Sequence, residues 1–158
     1  MPVTQTPDRG PDRGLGRRLD QAAELCRARG QSLTPLRRRV LEIVLEADRP
    51  LGAYDVLEIL AEERGRVAPP TVYRSLDFLL DQGLVHKVLS VNGFVACSDT
   101  ARPHAAELFI CRHCGNAVEV ARKAADPRLE ETAAGLDFAI ESVVLEVRGR
   151  CADCRADA

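Results

Sequence analysis

Residues 69–97 read PPTVYRSLDFLLDQGLVHKVLSVNGFVAC, and within them the spacing of apolar side chains changes from helical to alternating. Pro69-Pro70-Thr71 opens a helix that continues to Gln82 and stops at Gly83, because proline suits a first helical turn and glycine the residue past a helix end. At 100° per residue Val72, Leu76, Leu79 and Leu80 gather on one side. Thr71, Arg74 and Asp77 point away, and Tyr73 lies at the boundary. Phe78 also falls on the outer side, where the pattern gives no account of it. After Gly83 the period becomes two. Leu84 to Leu89 and Phe94 to Cys97 read as short strands around a turn at Asn92-Gly93, a strong hairpin signal.

Toward the N-terminus the signals are helical. Leu15 to Arg29 carries Leu15, Leu19, Ala22, Ala23, Leu25 and Cys26 at helical spacing, with Gly30 as the stop. Cys26 in that stripe reads as a small core residue. Thr34-Pro35 opens a second helix, with Thr34 as N-cap and Leu36, Val40, Leu41, Ile43 and Val44 inward. A third runs from about Tyr54 to Glu63, with Val56, Leu57 and Leu60 inward, and Gly65 breaks it. Short helices followed by a hairpin predict a winged helix-turn-helix domain over 15–97. Met1 to Gly14 holds a tandem Pro-Asp-Arg-Gly, too polar and breaker-rich to pack, and reads as a disordered leader, 1–14.

Toward the C-terminus, Ser98 to Pro103 is polar and without period, which places a hinge over 98–106. Beyond it the pattern is strand (Glu107 to Ile110), strand (Ala117 to Val120), helix (Pro127 to Leu136) and strand (Ala139 to Val147). The fold class is therefore α+β: a winged helix followed by a small α/β unit over 107–158. So few residues rarely make a stable core alone, and a metal or oligomerisation usually compensates.

The whole chain has 158 residues, 46% hydrophobic and 29% charged, with a net charge of −2. It is too short for a large catalytic core with regulatory parts. No run approaches the roughly 18 apolar residues that would cross a bilayer. No apolar stretch at the N-terminus suggests a secretion signal, so a cytoplasmic location is expected. Bulk charge does not point to nucleic acid, but Arg27 to Arg39 holds five arginines and no acid.

Four of the six cysteines form two CxxC pairs, Cys111-Arg-His-Cys114 and Cys151-Ala-Asp-Cys154. In a reducing compartment such pairs read as a metal site. Zn²⁺ is held well by four thiolates in a tetrahedron, and a closed shell leaves no position for substrate, so this zinc is structural. His113, inside the first pair, faces solvent because the shell is already full.

The remaining soft ligands are His86 on the first hairpin strand, Cys97 at the end of the second, and His104 at the far end of the hinge. Each alone reads as structural; together they flank the junction between the two domains. A carboxylate from the C-terminal unit, Glu119 or Glu107, would complete four ligands. A mixed nitrogen, sulfur and oxygen shell containing a thiolate favours Zn²⁺ over Mn²⁺ or Mg²⁺.

Leu33-Thr34-Pro35-Leu36-Arg37, Leu51-Gly52-Ala53-Tyr54-Asp55, the run Pro69 to Leu79 and Gly83-Leu84-Val85-His86-Lys87-Val88 resemble the ferric uptake regulator family, and within it the zinc uptake regulator branch. The resemblance spans about Gly16 to Cys154. It implies a cytoplasmic homodimer with a C-terminal dimerisation domain, and two zinc ions per chain. One is a structural zinc on Cys111, Cys114, Cys151 and Cys154. The other is a regulatory zinc on His86, Cys97, His104 and Glu119, which selects Glu119 over Glu107. The iron-sensing branches carry a His-rich run near the hinge, and here only His104 stands there.

The implied function is a zinc-dependent repressor of zinc-uptake genes on an inverted-repeat double-stranded DNA operator, with no small-molecule substrate other than the metal. The alternative is a family member that answers to nickel, iron, manganese or peroxide. The helix over Pro70 to Gln82 is expected in the major groove, where Tyr73 and Arg74 reach bases or phosphates beside Thr71. Arg37, Arg38 and Arg39 are expected to touch phosphates. Catalysis is not expected: His104-Ala-Ala-Glu107 has the wrong spacing for a zinc deaminase, and Ile110 rather than proline precedes Cys111.

Overall fold

A computed structural model describes residues 13–100, 105–122 and 126–156. Helix α1 (Arg13–Ala28) begins the described chain. Arg13 and Gly14, the last two residues of the leader expected over 1–14, lie in the first turn of α1; residues 1–12 lie outside the described residues. Gly30 closes α1 at φ 69°, a left-handed turn open to glycine without steric cost. Gln31 N–H donates to Cys26 O and Gly30 N–H to Arg27 O, which satisfies two carbonyls of the last turn of α1.

Helix α2 (Pro35–Glu46) starts at Thr34, whose hydroxyl receives the Arg37 N–H at 3.5 Å, a long contact. Helix α3 (Ala53–Arg64) and helix α4 (Pro69–Asp81) follow. The four pack around Cys26, Val40, Val44, Val56, Leu60, Val72, Leu76 and Leu79. Cys26 is fully buried there, beside apolar neighbours.

Strands β1 (Val85–Val88) and β2 (Gly93–Ala96) form the wing, paired antiparallel with Val88 opposite Gly93. The turn is longer than the Asn-Gly signal suggests. A 3-10 turn over Leu89–Val91 intervenes, and only Asn92 takes a left-handed conformation, at φ 48°. Gly93 is required by contact: a Cβ there would stand 2.8 Å from Pro50 Cβ. Leu51 pairs with Phe94, adding a one-residue third strand that the sequence pattern did not show.

The C-terminal unit is a three-stranded sheet in the order β4 (Ala117–Arg122), β3 (Ala105–Cys111), β5 (Val144–Gly149). β3 and β4 are antiparallel, whereas β3 and β5 are parallel through helix α5 (Pro127–Gly135). β3 begins two residues inside the expected hinge. The strand expected over Ala139–Val147 pairs only from Val144, which stands opposite Ala106. A short helix α6 (Ala152–Ala156) carries Cys154.

Strand parity decides what each face does. On the wing, Val85, Phe94 and Ala96 join the helical core, while Val88 and Val95 face the C-terminal sheet and pack with Leu108, Ile110 and Ala117. On that sheet Leu108 is opposite Glu119 and Glu146, so all three share the face toward the wing. Phe109, Val118 and Val147 share the opposite face, with Val120 and Leu145, and remain exposed.

Candidate metal centres and nucleic-acid interface

The first centre collects Cys111 at the end of β3, Cys114 in the turn after it, Cys151 after β5 and Cys154 in α6. Their sulfurs lie within 4.8 Å of one another, and none is in a disulfide. Parallel pairing of β3 with β5, in register from Ala106–Val144 to Cys111–Gly149, brings both CxxC pairs to one end of the sheet. Cys114 Sγ and Cys151 Sγ are 3.8 Å apart. Thiolates about 2.3 Å from a central Zn²⁺ stand about 3.8 Å from each other in a tetrahedron, so the donor set fits that ion.

The local electrostatics also fit a cation. Backbone N–H groups of Cys114, Cys151 and His113 converge on the Cys111 sulfur and hold it down to about 5. The Cys151 N–H lies 3.4 Å from that sulfur. Cys154 is pushed up to about 12 by its hydrogen bond to Cys151, then by burial and the other thiols. One thiolate is thus prepared by the backbone, and a cation is what lets the remaining thiols ionise beside it. His113 is exposed.

The second centre lies between the domains. His86, Cys97 and Glu119 offer donor atoms within 4.8 Å of one another. His86 comes from β1, Cys97 follows β2, and Glu119 comes from β4 of the other domain. His86 Nε2 and Glu119 Oε1 are 3.1 Å apart, and both side chains are largely buried. Ser98 N–H donates to Glu119 Oε2 at 2.6 Å, and Cys97 N–H to Leu84 O at 3.0 Å. Arg18 of α1 donates to Cys97 O at 3.0 Å. Burial, and then the neighbouring Glu119 carboxylate, push the Cys97 thiol up to about 12. A soft thiolate, an imidazole and a carboxylate converging in a half-dry cleft fit a late first-row divalent ion such as Zn²⁺. Glu107, the carboxylate that spacing alone left open, pairs with Val120 and Leu145 on the outer face of the sheet. His104 lies outside the described residues.

The residues expected at nucleic acid are split. Tyr73 and Arg74 are exposed near the start of α4, and Thr71 is half-buried. Phe78, assigned to the outer side by periodicity, is only 8% exposed. The Arg37 guanidinium covers its ring at 3.6 Å and also donates to Ser32 O. Arg38 pairs with Asp20 of α1 at 2.8 Å. Arg39 bonds Glu63 of α3 with both Nε and Nη2 and pairs with Glu42 at 2.8 Å and Glu46 at 3.5 Å. The three adjacent arginines therefore each carry an internal partner, which a count of charges could not reveal. Arg29 at the end of α1 donates to Gln82 O, fixing the far end of α4.

A winged helix joined to a small sheet, with a four-thiolate centre at one end and a mixed donor cluster at the junction, defines a two-domain metal-binding winged-helix protein. Residues 28–148 match the sequence profile of the Ferric uptake regulator family, and the chain belongs to that family. It is 42% identical over 137 residues to the zinc uptake regulation protein of Escherichia coli (strain K12), covering 86% of this chain and 80% of that one. A zinc uptake regulator complexed with zinc and DNA superposes with a TM-score of 0.84 at 40% identity, covering 90% of this chain and 96% of that one. Holo XcZur superposes at 0.78 with 41% identity, covering 87% and 96%, and the apo form of XcZur at 0.50 with 40% identity, covering 89% and 97%.

Proposed function

We propose that this chain is a zinc-responsive transcriptional regulator: a cytoplasmic homodimer that binds an inverted-repeat operator when zinc is plentiful and represses zinc-uptake genes. The observation that carries the reading is the convergence of His86, Cys97 and Glu119 from two domains on one small cluster. Cys111, Cys114, Cys151 and Cys154 would hold a structural zinc. His86, Cys97, His104 and Glu119 would hold a regulatory one, giving two ions per chain. Zinc at the junction supplies a positive centre that holds anionic and imidazole ligands from both domains together.

The chain's own residues do the rest. His86 and Cys97 fix the wing, and Glu119 fixes the sheet, so the junction sets the angle at which α4 is presented. At nearly equal identity, the likeness is greater to the holo and DNA-bound relatives than to the apo one. That contrast supports a conformational rather than a sequence origin for the difference. Tyr73 and Arg74 would read the major groove beside Thr71, and Arg37, Arg38 and Arg39 would position the domain on phosphates, Arg39 only by giving up its carboxylate partners. The exposed apolar face of Phe109, Val118, Val120, Leu145 and Val147 is the surface a second copy would cover.

Linkage makes the coupling reciprocal: if the junction ion raises operator affinity a hundredfold, about 2.7 kcal/mol, the operator raises ion affinity equally. Native mass spectrometry before and after mild chelation, with operator binding on the same samples, tests this. Two zinc ions per chain are expected, one of them easily removed together with operator binding. Binding that survives its removal rejects the reading, and recovery with nickel, iron or manganese in preference to zinc reassigns the metal.

A further inference from the structure

Glu119 is not the only carboxylate that reaches the wing. Glu146, on the other edge strand of the sheet, accepts the Leu89 N–H at 2.5 Å with Oε1 and the Ser90 N–H at 3.1 Å with Oε2. These are the first two amides of the turn at the wing tip. Both carboxylates stand opposite Leu108, one on each side, and Leu108 itself is buried with Val88. One row of the sheet thus touches the wing at three points. Glu119 meets His86 and Ser98, Leu108 meets Val88, and Glu146 meets Leu89 and Ser90.

The spans match. From β4 to β5 is two strand spacings, about 9.6 Å, and from His86 to Leu89 is three strand residues, about 10 Å. Strand β1 therefore has a carboxylate of the C-terminal sheet at each end, Glu119 of β4 at His86 and Glu146 of β5 just past Val88. A contact at Glu119 alone would leave the wing free to pivot about it, whereas the second contact fixes the direction. The Glu146 contact consists of charge-assisted bonds to the Leu89 and Ser90 backbone amides, with the Ser90 side chain beside them, and it needs no metal. Burial pushes the Glu146 carboxyl up, but the Ser90 side chain, the Leu89 and Ser90 amides and nearby Arg148 together hold it below its usual range.

We infer that Glu146 is a positioning residue for the junction metal site: it docks the wing tip on the sheet so that His86 and Cys97 stand opposite Glu119 before the ion arrives. The inference rests on the zinc-responsive reading above. Apparent affinity is the intrinsic affinity multiplied by the fraction of chains already in the binding arrangement. Removing the latch lowers that fraction without altering a ligand. The junction ion should then bind more weakly, while a saturating concentration should still bring the wing home.

The test uses the full chain with its four-thiolate zinc in place and the junction ion stripped by mild chelation. Zinc affinity is read by competition with a chromophoric chelator, and operator affinity is read separately at saturating zinc. Glu146→Ala should weaken junction zinc about tenfold, equivalent to about 1.4 kcal/mol. It should leave the four-thiolate zinc bound and operator affinity at saturating zinc within about twofold of the parent. Glu146→Gln keeps one carbonyl acceptor and should lose less; it also serves if the alanine variant does not fold. Junction affinity unchanged in both variants overturns the inference, as does operator affinity at saturating zinc falling in step with zinc affinity, which marks general damage. If the parent's operator binding ignores junction zinc, the proposed function fails instead, and the chelator titration still reads the latch.

Discussion

His86 Nε2 and Glu119 Oε1 lie 3.1 Å apart, although one belongs to the wing and the other to the C-terminal sheet. A contact between an imidazole and a carboxylate in a largely buried cleft ties the two domains, beside the apolar cluster around Val88 and Leu108, the Ser98–Glu119 bond and the Glu146 contact. Glu119→Ala should therefore weaken zinc at the junction by at least about a hundredfold while leaving the four-thiolate zinc in place, as metal counting after mild chelation would show. Cys97 adds a pH signature. Its thiol is pushed up to about 12 by burial and then by Glu119, so without a metal it keeps its proton across pH 6 to 9. Zinc binding must release that proton, and affinity should rise with pH by about tenfold per unit. Cys97→Ser should abolish junction binding. A flat pH profile for the parent would contradict a thiolate ligand.

How much of this could be read beforehand depends on the range of the signal. The CxxC pairs are local, and their meeting follows once β3 and β5 pair in parallel. The helix-to-hairpin change at Gly83 is local too, and the wing follows it. The choice between Glu119 and Glu107 is not local: it rests on which face of β4 and β3 meets the wing, and spacing along the chain does not contain that. Phe78 failed for a related reason. Its helical angle is outward, but Arg37 of another helix covers the ring, a cation–π contact worth about 0.5–1 kcal/mol at a site of this kind. The same fact changes what the Arg37–Arg39 run means. Charges that look available in sequence are engaged with Phe78, Asp20 and three glutamates.

The four-thiolate centre should be a condition of folding for the C-terminal unit. Within that unit only Ala106, Leu108, Ile110, Cys111 and Ala133 are buried among the described residues, too few to offset the entropy of ordering the chain. Cys151→Ser, or strong chelation under reducing conditions, should unfold residues beyond the hinge while α1–α4 stay folded. Circular dichroism and a shift from dimer to monomer in size-exclusion chromatography would report it. A C-terminal unit that keeps its strands without metal would show that the cluster is not structural.

Arg39 makes a second stability prediction with a definite sign. Its hydrogen bonds hold the Glu63 carboxyl below the usual glutamate value. A carboxylate with a lowered folded value adds stability above its unfolded value, near 4.5, and loses it as pH falls through the folded value. The chain should therefore lose stability on acidification below about pH 4.5, and Glu63→Gln should flatten part of that slope while lowering stability modestly at pH 7, since the pair is partly exposed. Thermal unfolding of both proteins from pH 3.5 to 7 would check it. Parallel curves for the two proteins would mean that the α2–α3 pair does not contribute.

The exposed start of α4 and the engaged arginines of α2 should separate in DNA binding. Arg74 is solvent-facing near the N-terminal end of α4, the end that the proposed function would place in a major groove. Arg74→Ala should cost about 1–3 kcal/mol of operator binding if it reads a base, and should relax preference at one position of each half-site. Tyr73→Ala should act in the same region, with loss of an apolar contact rather than of charge. Arg38→Ala removes a charge already paired with Asp20, so it should weaken operator and unrelated DNA alike. It should flatten the slope of log K against log salt by no more than about 0.9 per arginine lost from each protomer. A full set of binding curves for the three variants, on operator and on scrambled duplex at several salt concentrations, distinguishes these roles. Arg74→Ala weakening both duplexes equally would move Arg74 from the reading set to the positioning set.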